Sequence, residues 1–347
     1  MPHKIFLANL VSLSASYLLI YGVQTIYEYS RNHQHYPSTD GQPPNPLLNQ
    51  PSHLRPEFQK EYFVVLSSPN TLSQLFLLPL VVLGWQNIGA HSLVFFAGTS
   101  AQFEQSRVSQ YIVDFLNDLG ARTSFVSSNS LPPEVLAGLV RLFAVGMPRT
   151  FKFDDNSTVL VTADADMLPL SIDEHTLQQP EEHLKVYGGR TRTRYALNTL
   201  TMTTAHWRQL MGIDKYGIDN GDAIYRYLAK EFGKKAMTEL INDPDKKLDE
   251  ILAGRKIQNW VEKYGETVTF ANKKINQITR SEWQESNFDG YKISALDDIE
   301  LPEGLHNPQM WKKALVLLRQ IFDDNIIKLL NDYQQEVNNL LHQKDEE

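Results

Sequence analysis

The sequence contains no cysteine among its 347 residues. This absence excludes a disulfide-bonded scaffold, a cysteine nucleophile and a zinc site built from thiolates. Basic charge is also in deficit, because 33 Lys and Arg stand against 41 Asp and Glu, for a formal net charge of −8. A general nucleic-acid-binding protein would show a basic excess, so we expect no nucleic-acid partner. The length allows two domains, but one α/β domain with appended segments fits as well.

The amino-terminal region carries a run without charge. Ile5 to Val23 are 19 such residues, which correspond to roughly 28 Å of helix, about the thickness of a membrane's hydrocarbon core. A cleaved signal peptide and a buried core helix are the alternatives, although the run is long for a signal peptide and has no clear A-x-A site. We expect a cytosolic tail at residues 1–4, an uncleaved transmembrane signal anchor at residues 5–27, and a lumenal body.

Residues 28–60 are rich in proline and polar side chains. Six prolines fall within this segment, and such a composition cannot bury enough apolar surface to fold. It therefore predicts an extended stem. The folded body is expected to start near Glu61. The apolar segment Leu72–Trp85 contains Pro79 and is too short to span a membrane, so it predicts a buried helix.

Strand and helix patterns alternate after that segment. Residues 92–98 predict the first buried strand, residues 122–127 predict a second, and a helical pattern follows each of them. This alternation indicates an α/β fold with a parallel sheet. We place the main domain at residues 61–308. From Pro308 onward apolar residues keep helical spacing almost to the end, which predicts one long helix in residues 309–347; whether it packs on the body or on a partner stays open.

Two aspartates follow the next predicted strand. Val159–Val161 form a short apolar run, and Asp164 and Asp166 come at its carboxyl end, where open α/β sheets bind ligands. Carboxylates at i and i+2 point the same way from an extended chain, so they can share one divalent cation. Such a cation keeps open positions for the oxygens of a diphosphate. Acidic pairs are also common in ordinary loops and helix starts.

The D-x-D motif at Asp164–Asp166, with its apolar strand, resembles that of the GT-A glycosyltransferases, which bind a divalent metal and a nucleotide-sugar. The order of anchor, stem and body is similar to that of type II membrane transferases of the Golgi. The resemblance implies a GT-A fold, a Rossmann-like mixed sheet flanked by helices, in the Golgi or ER membrane. It also implies transfer of a sugar from a nucleotide-sugar, expected to be a UDP-sugar, to a hydroxyl of a glycan or glycoprotein, with Mn²⁺ or Mg²⁺ as cofactor.

The resemblance implies roles for further residues. Arg141, in Arg141-Leu-Phe-Ala144, resembles the arginine of the R-L-[FY]-A helix, which faces the diphosphate or braces the aspartates; a plain surface arginine is the alternative. Asp249 lies in a segment similar to W-x-D-[QE], although Lys246 replaces the tryptophan, and would be the catalytic base near the acceptor. His306 would be a third metal ligand beside the aspartates, or else a polar surface residue.

Two further residues complete the predicted site for the nucleotide. Gly98 and Thr99, at the end of the predicted first strand, are expected to bind the nucleotide together with Arg141 and Asp164. The cluster at Arg190, Arg192 and Arg194 could bind phosphates or an acidic sugar, or could be a solvated strand edge.

Two other classes of function stay open. A lumenal binding or scaffold protein could keep the fold without turnover. A nucleotidyltransferase also uses paired aspartates, but the segment beginning Gly98-Thr-Ser-Ala-Gln-Phe103 lacks the basic, glycine-rich phosphate loop of that class. Asn156-Ser-Thr is an N-glycosylation acceptor sequence, which is compatible with a lumenal glycoprotein.

Overall fold

The computed structural model describes residues 60–147, 153–188, 199–214, 217–241, 243, 247–271, 276–285, 288 and 291–343. The predicted tail, the anchor, the stem up to residue 59 and the three arginines of the predicted cluster lie outside these residues. Within the described part of the chain, no helix is both long enough and apolar enough to cross a membrane.

The strands are β1 (Glu61–Pro69), β2 (His91–Ala97), β3 (Arg122–Val126), β4 (Thr158–Ala163), β5 (Met167–Pro169), β6 (Leu184–Tyr187), β7 (Thr199–Thr203), β8 (Val268–Ala271), β9 (Gln277–Ile278) and β10 (Asp298–Glu300). The α-helices are α1 (Leu72–Leu75), α2 (Leu78–Asn87), α3 (Ser100–Glu104), α4 (Arg107–Asp118), α5 (Pro133–Phe143), α6 (Thr204–Met211), α7 (Gly221–Phe232), α8 (Lys234–Ile241), α9 (Leu248–Tyr264), α10 (Glu282–Glu285), α11 (Pro308–Ile321) and α12 (Asp324–Gln343).

Seven strands form one mixed sheet in the order β3-β2-β1-β4-β7-β6-β8. The four strands β3, β2, β1 and β4 are parallel, and β7 runs antiparallel to both β4 and β6. A small second sheet joins β5, β10 and β9. The prediction of an α/β fold with a mixed sheet flanked by helices is confirmed. The parallel sheet that the alternating pattern predicted is limited to the four strands β3, β2, β1 and β4.

Both faces of the large sheet are buried, which explains why its central strands are continuous apolar runs. In β1, Val64 and Leu66 enter one core, and Phe63 and Val65 enter the other. This alternation follows from the two-residue period of a strand. Helices α2, α4, α11 and α12 contribute to the first core and helices α5, α6, α7 and α9 to the second.

The central strand β1 was missed by the sequence analysis. The predicted first strand at residues 92–98 corresponds to β2, whereas β1 (Glu61–Pro69) lies between β2 and β4. Its apolar run covers only Phe63–Leu66 before two serines. From β1 the chain forms β2 and β3 on one side and then returns to form β4 on the other side. The carboxyl ends of β1 and β4 therefore mark a topological switch point, the position where open α/β sheets bind ligands.

Two predictions about helices can be compared with the structure. The segment Leu72–Trp85 is buried from Leu75 onward, largely as predicted, but it forms two helices, with Pro79 in the first turn of α2. The single helix predicted after Pro308 is also two helices. A new helix begins because the Asp323 carboxylate accepts the N–H groups of Asn325 and Ile326, at 2.9 and 3.0 Å. Both helices pack on the core of the body.

Candidate active site

A cleft of about 490 Å³ lies at the switch point. One wall comes from the end of β1 and the chain that follows it, with Ser67 and Gln74 among the lining residues. Helix α5 and the first turn of α9 contribute further side chains, and the small sheet contributes Asp298 and Glu300. The D-x-D segment after β4 lies between these elements, so the cleft is assembled from both halves of the chain.

Acidic groups dominate this cleft. Its lining contains eight carboxylates, those of Glu134, Asp164, Asp166, Asp249, Glu250, Asp298, Glu300 and Glu303, against the three basic side chains of Arg141, Lys247 and Arg280. Each basic group already pairs with a carboxylate. A nucleotide diphosphate would therefore meet a surplus of like charge unless a cation accompanied it.

Arg141 joins two of the predicted site residues. Its Nη1 lies 2.5 Å from Asp164 Oδ1 and its Nη2 lies 3.1 Å from Asp249 Oδ2. Burial alone would lower the pKa of the Arg141 guanidinium, but the two carboxylates outweigh it and raise that pKa above its usual value. A Cβ added at Gly138 would lie 3.2 Å from Asp249 Oδ2, so the glycine lets α9 approach α5 closely. Three of the predicted residues are thus one ion-pair network.

The second aspartate of the motif has a different partner. Arg280, between β9 and α10, pairs with Asp166 through Nη2. Its Nε lies 3.2 Å from Glu300 Oε1 and its Nη1 lies 3.9 Å from Glu303 Oε1. The main-chain N–H of Arg280 also donates to Glu300 Oε2 at 3.3 Å. No role was predicted for Arg280, since the residues next to it in the sequence do not distinguish it from a surface arginine.

The chemistry of the two aspartates suits a hard divalent cation. Carboxylate oxygens are the ligands that Mg²⁺ and Mn²⁺ accept, and Asp164 keeps 45% of its side chain exposed despite its pairing. Within the described residues, no group of three or more His, Asp or Glu side chains is arranged to hold a metal ion. Asp164 and Asp166 are the two carboxylates that such a cation could use.

Three other predicted residues are not brought to this point. His306 lines a neighbouring cavity of about 590 Å³, which shares Arg280 and Glu303 with the cleft, and its role as a third metal ligand stays a prediction. Its ring packs edge-on against Phe76, and burial lowers the pKa of His306. Gly98 and Thr99 are also absent from the cleft lining. Thr99 caps α3 by accepting the N–H of Gln102, and both residues follow β2, one strand away from the switch point.

One buried acid in the cleft was also missed. Asp298 is 1% exposed and accepts a hydrogen bond from the Tyr187 hydroxyl. Burial raises the pKa of Asp298 to about 6, and the hydrogen bond opposes this rise. Asp297-Asp-Ile-Glu300 has no pattern that separates it from an acidic loop, so only the pairing of β10 with β5 and β9 reveals its position.

No family model matches this sequence, and neither does any curated protein. Among solved structures, the galactosyltransferase LgtC in complex with donor and acceptor sugar analogs is similar, at 13% identity over 69% of this chain and 86% of that chain, with a TM-score of 0.37. GlyE, a glycosyltransferase of Streptococcus pneumoniae TIGR4, is 12% identical over 80% of this chain and 64% of that chain, with a TM-score of 0.39.

The mannosyltransferase PcManGT from Pyrobaculum calidifontis, in complex with GDP-Man and Mn²⁺, is 13% identical over 61% of each chain, with a TM-score of 0.27. All three TM-scores lie below 0.5.

Proposed function

We propose that the protein is a metal-dependent glycosyltransferase of GT-A fold, which moves a sugar from a nucleotide-sugar, expected to be a UDP-sugar, to a hydroxyl of a glycan or glycoprotein. The observation that carries this proposal is the position of the D-x-D motif. Asp164 and Asp166 lie at the carboxyl end of β4, beside the switch point, in a cleft with a surplus of carboxylates. A cation held by the two aspartates would offset this surplus for an incoming diphosphate.

Each residue of the network has a role in this proposal. Asp164 and Asp166 would hold Mn²⁺ or Mg²⁺, which when bound would neutralise the charge that develops on the departing diphosphate. Arg141 fixes the carboxylate of Asp164 and is itself held by Asp249. Asp249 was predicted as the base near the acceptor. Its ion pair with Arg141 adds a supporting role at the same place.

The proposed location is the membrane of the Golgi or ER, with the body in the lumen. Asn156 is exposed in the loop that enters β4, at the end of that strand opposite the cleft. A glycan on Asn156 would therefore leave the cleft open. Protection of the body from protease in sealed microsomes tests this orientation, and digestion without detergent would contradict it.

The catalytic proposal is tested by a panel of nucleotide-sugars incubated with the purified full-length protein, with Mn²⁺ and with a chelator. We expect release of nucleoside diphosphate from one donor, and only with the metal. Asp164→Asn and Asp166→Asn should reduce that release by orders of magnitude, because each removes a charged ligand. Asp114→Asn is the matched control, since Asp114 is an exposed aspartate on α4 outside the cleft.

The same panel separates the alternative functions. Metal-dependent nucleotide binding without turnover, with or without acceptor sugars, would indicate a binding or scaffold protein. Equal nucleotide affinity in wild type and both variants, with and without metal, would leave no reason to regard the protein as a glycosyltransferase.

A further inference from the structure

Arg280 belongs to no predicted motif, yet carboxylates of the cleft surround its side chain. Its guanidinium contacts three carboxylates, those of Asp166, Glu300 and Glu303. Glu300 fixes it twice, because one oxygen accepts from the main-chain N–H and the other faces Nε. The arginine therefore lies against the carboxylate that the proposed cation would use.

We propose that Arg280 is a tethered counter-ion, which neutralises Asp166 while the cleft is empty and transfers to the diphosphate when cation and nucleotide bind. This inference rests on the proposed function and adds to it a residue that couples the two binding events. A guanidinium offers planar paired donors that fit carboxylate and phosphate equally well, so it can exchange one partner for the other.

The two arginines of the cleft differ in a way that supports this assignment. The side chain of Arg141 is 9% exposed and bridges Asp164 and Asp249, so two ion pairs hold it in place. The side chain of Arg280 is 48% exposed, while that of Asp166 is only 16% exposed. Water can solvate a half-exposed guanidinium, so Arg280 can leave Asp166 at small cost once a cation compensates that carboxylate. Arg141 is thus a fixed brace and Arg280 is a movable one.

The guanidinium of Arg280 and the cation compete for Asp166, and this competition affects how tightly the cation binds. Without nucleotide, a cation must displace the guanidinium from Asp166 and gains less from that carboxylate. With a diphosphate present, the displaced guanidinium finds a new anionic partner, so the cation binds more tightly. The diphosphate should therefore increase the affinity for the cation by more than its direct coordination of the cation would. Because the coupling is reciprocal, the cation should increase the affinity for the diphosphate by the same factor.

The experiment measures the dissociation constant of Mn²⁺ from its free electron paramagnetic resonance signal. The proteins are the full-length wild type, Arg280→Gln and the control Arg255→Gln, whose arginine is exposed on α9 outside the cleft lining. Each is titrated alone, with UDP, with GDP, and with UMP, which lacks the second phosphate. We expect Arg280→Gln to bind Mn²⁺ about tenfold more tightly than wild type without nucleotide, as removal of one charge-assisted competitor implies.

With the diphosphate that the protein accepts, the variant should lose this advantage, so the tightening of Mn²⁺ binding by that diphosphate should be about tenfold smaller in Arg280→Gln. UMP, which lacks the second phosphate, should leave the tenfold difference between wild type and Arg280→Gln in place, and Arg255→Gln should match wild type throughout. Arg280→Lys keeps the charge without the planar donors and should lie between wild type and Arg280→Gln; it also decides the matter if the glutamine variant does not fold.

The outcomes separate this inference from the proposed function. Equal Mn²⁺ affinity of wild type and Arg280→Gln without nucleotide would overturn the role of Arg280, even where a diphosphate tightens Mn²⁺ binding and Asp166→Asn abolishes it. Absence of Mn²⁺ binding in every protein, with and without the diphosphates, would overturn the proposed function and the role of Arg280 with it.

Discussion

Replacement of Arg141 by methionine tests whether the predicted site residues form one electrostatic unit. Arg141 is 8% exposed and is the shared partner of Asp164 and Asp249. Methionine keeps much of the unbranched stem and removes the charge, so the change leaves two carboxylates facing each other. Breaking a buried pair by removing one partner typically costs about 3–5 kcal/mol.

The structure places the expected loss near the lower end of that range. The side chain of Asp249 is only 15% exposed and would carry most of the uncompensated charge, whereas Asp164 is 45% exposed and can be solvated by water. We therefore expect Arg141→Met to lower the free energy of unfolding by about 3 kcal/mol at pH 7. The deficit should shrink as the pH falls, because burial raises the pKa of Asp164 and protonation of that carboxylate relieves the repulsion.

The assay is urea unfolding of wild type, Arg141→Met, Asp249→Asn and the double variant, all with chelator to remove cations. The double variant should recover roughly half of the loss of Arg141→Met, since it removes the more buried of the two carboxylates. A loss below about 1 kcal/mol for Arg141→Met, the value of a surface pair, would refute the network. So would a double variant whose loss equals the sum of the two single losses.

Two further variants test other parts of the structure. Burial raises the pKa of Asp298 from 3.8 to about 6, so the wild type should lose on the order of 3 kcal/mol as the pH rises from 4 through 6. Asp298→Asn should abolish this part of the pH dependence in urea unfolding, and parallel curves for the two proteins would contradict it. Asp323→Ala removes the cap that begins α12 and should cost about 1 kcal/mol in the same assay. The control Asp332→Ala, at an exposed position within α12, should cost less, and equal losses would argue against the cap.

The motif and its strand could be predicted from the sequence because their signals are local. A run of apolar residues that ends in D-x-D needs only neighbouring residues to be recognised, and the structure has β4 followed by Asp164 and Asp166 at that position. The helix of Arg141 was predicted for the same reason. Its contact with Asp249 joins residues 108 positions apart, and only the resemblance to known motifs suggested that both belong to one site.

Three predicted site residues lie outside the cleft lining, and no local signal in the sequence indicated this. Gly98 and Thr99 were chosen because they end the first strand that the pattern revealed, and the missed β1 moved the switch point by one strand. His306 follows the small sheet closely in sequence, but its side chain faces a different cavity. Which side of a short loop a side chain faces depends on long-range packing, which hydrophobic periodicity does not encode.

The two aspartates of the motif are chemically unequal although only one residue separates them. Asp164 faces Arg141 on α5, a helix that packs against the large sheet. Asp166 faces Arg280 beside the small sheet, and its main-chain carbonyl accepts the N–H of Leu301 at 2.7 Å, just after β10. A cation shared by the two carboxylates would thus release Asp166 from Arg280, while Asp164 stays paired with Arg141. The cation can use both carboxylates only after Arg280 has left Asp166. Binding of the cation therefore depends on this movable arginine.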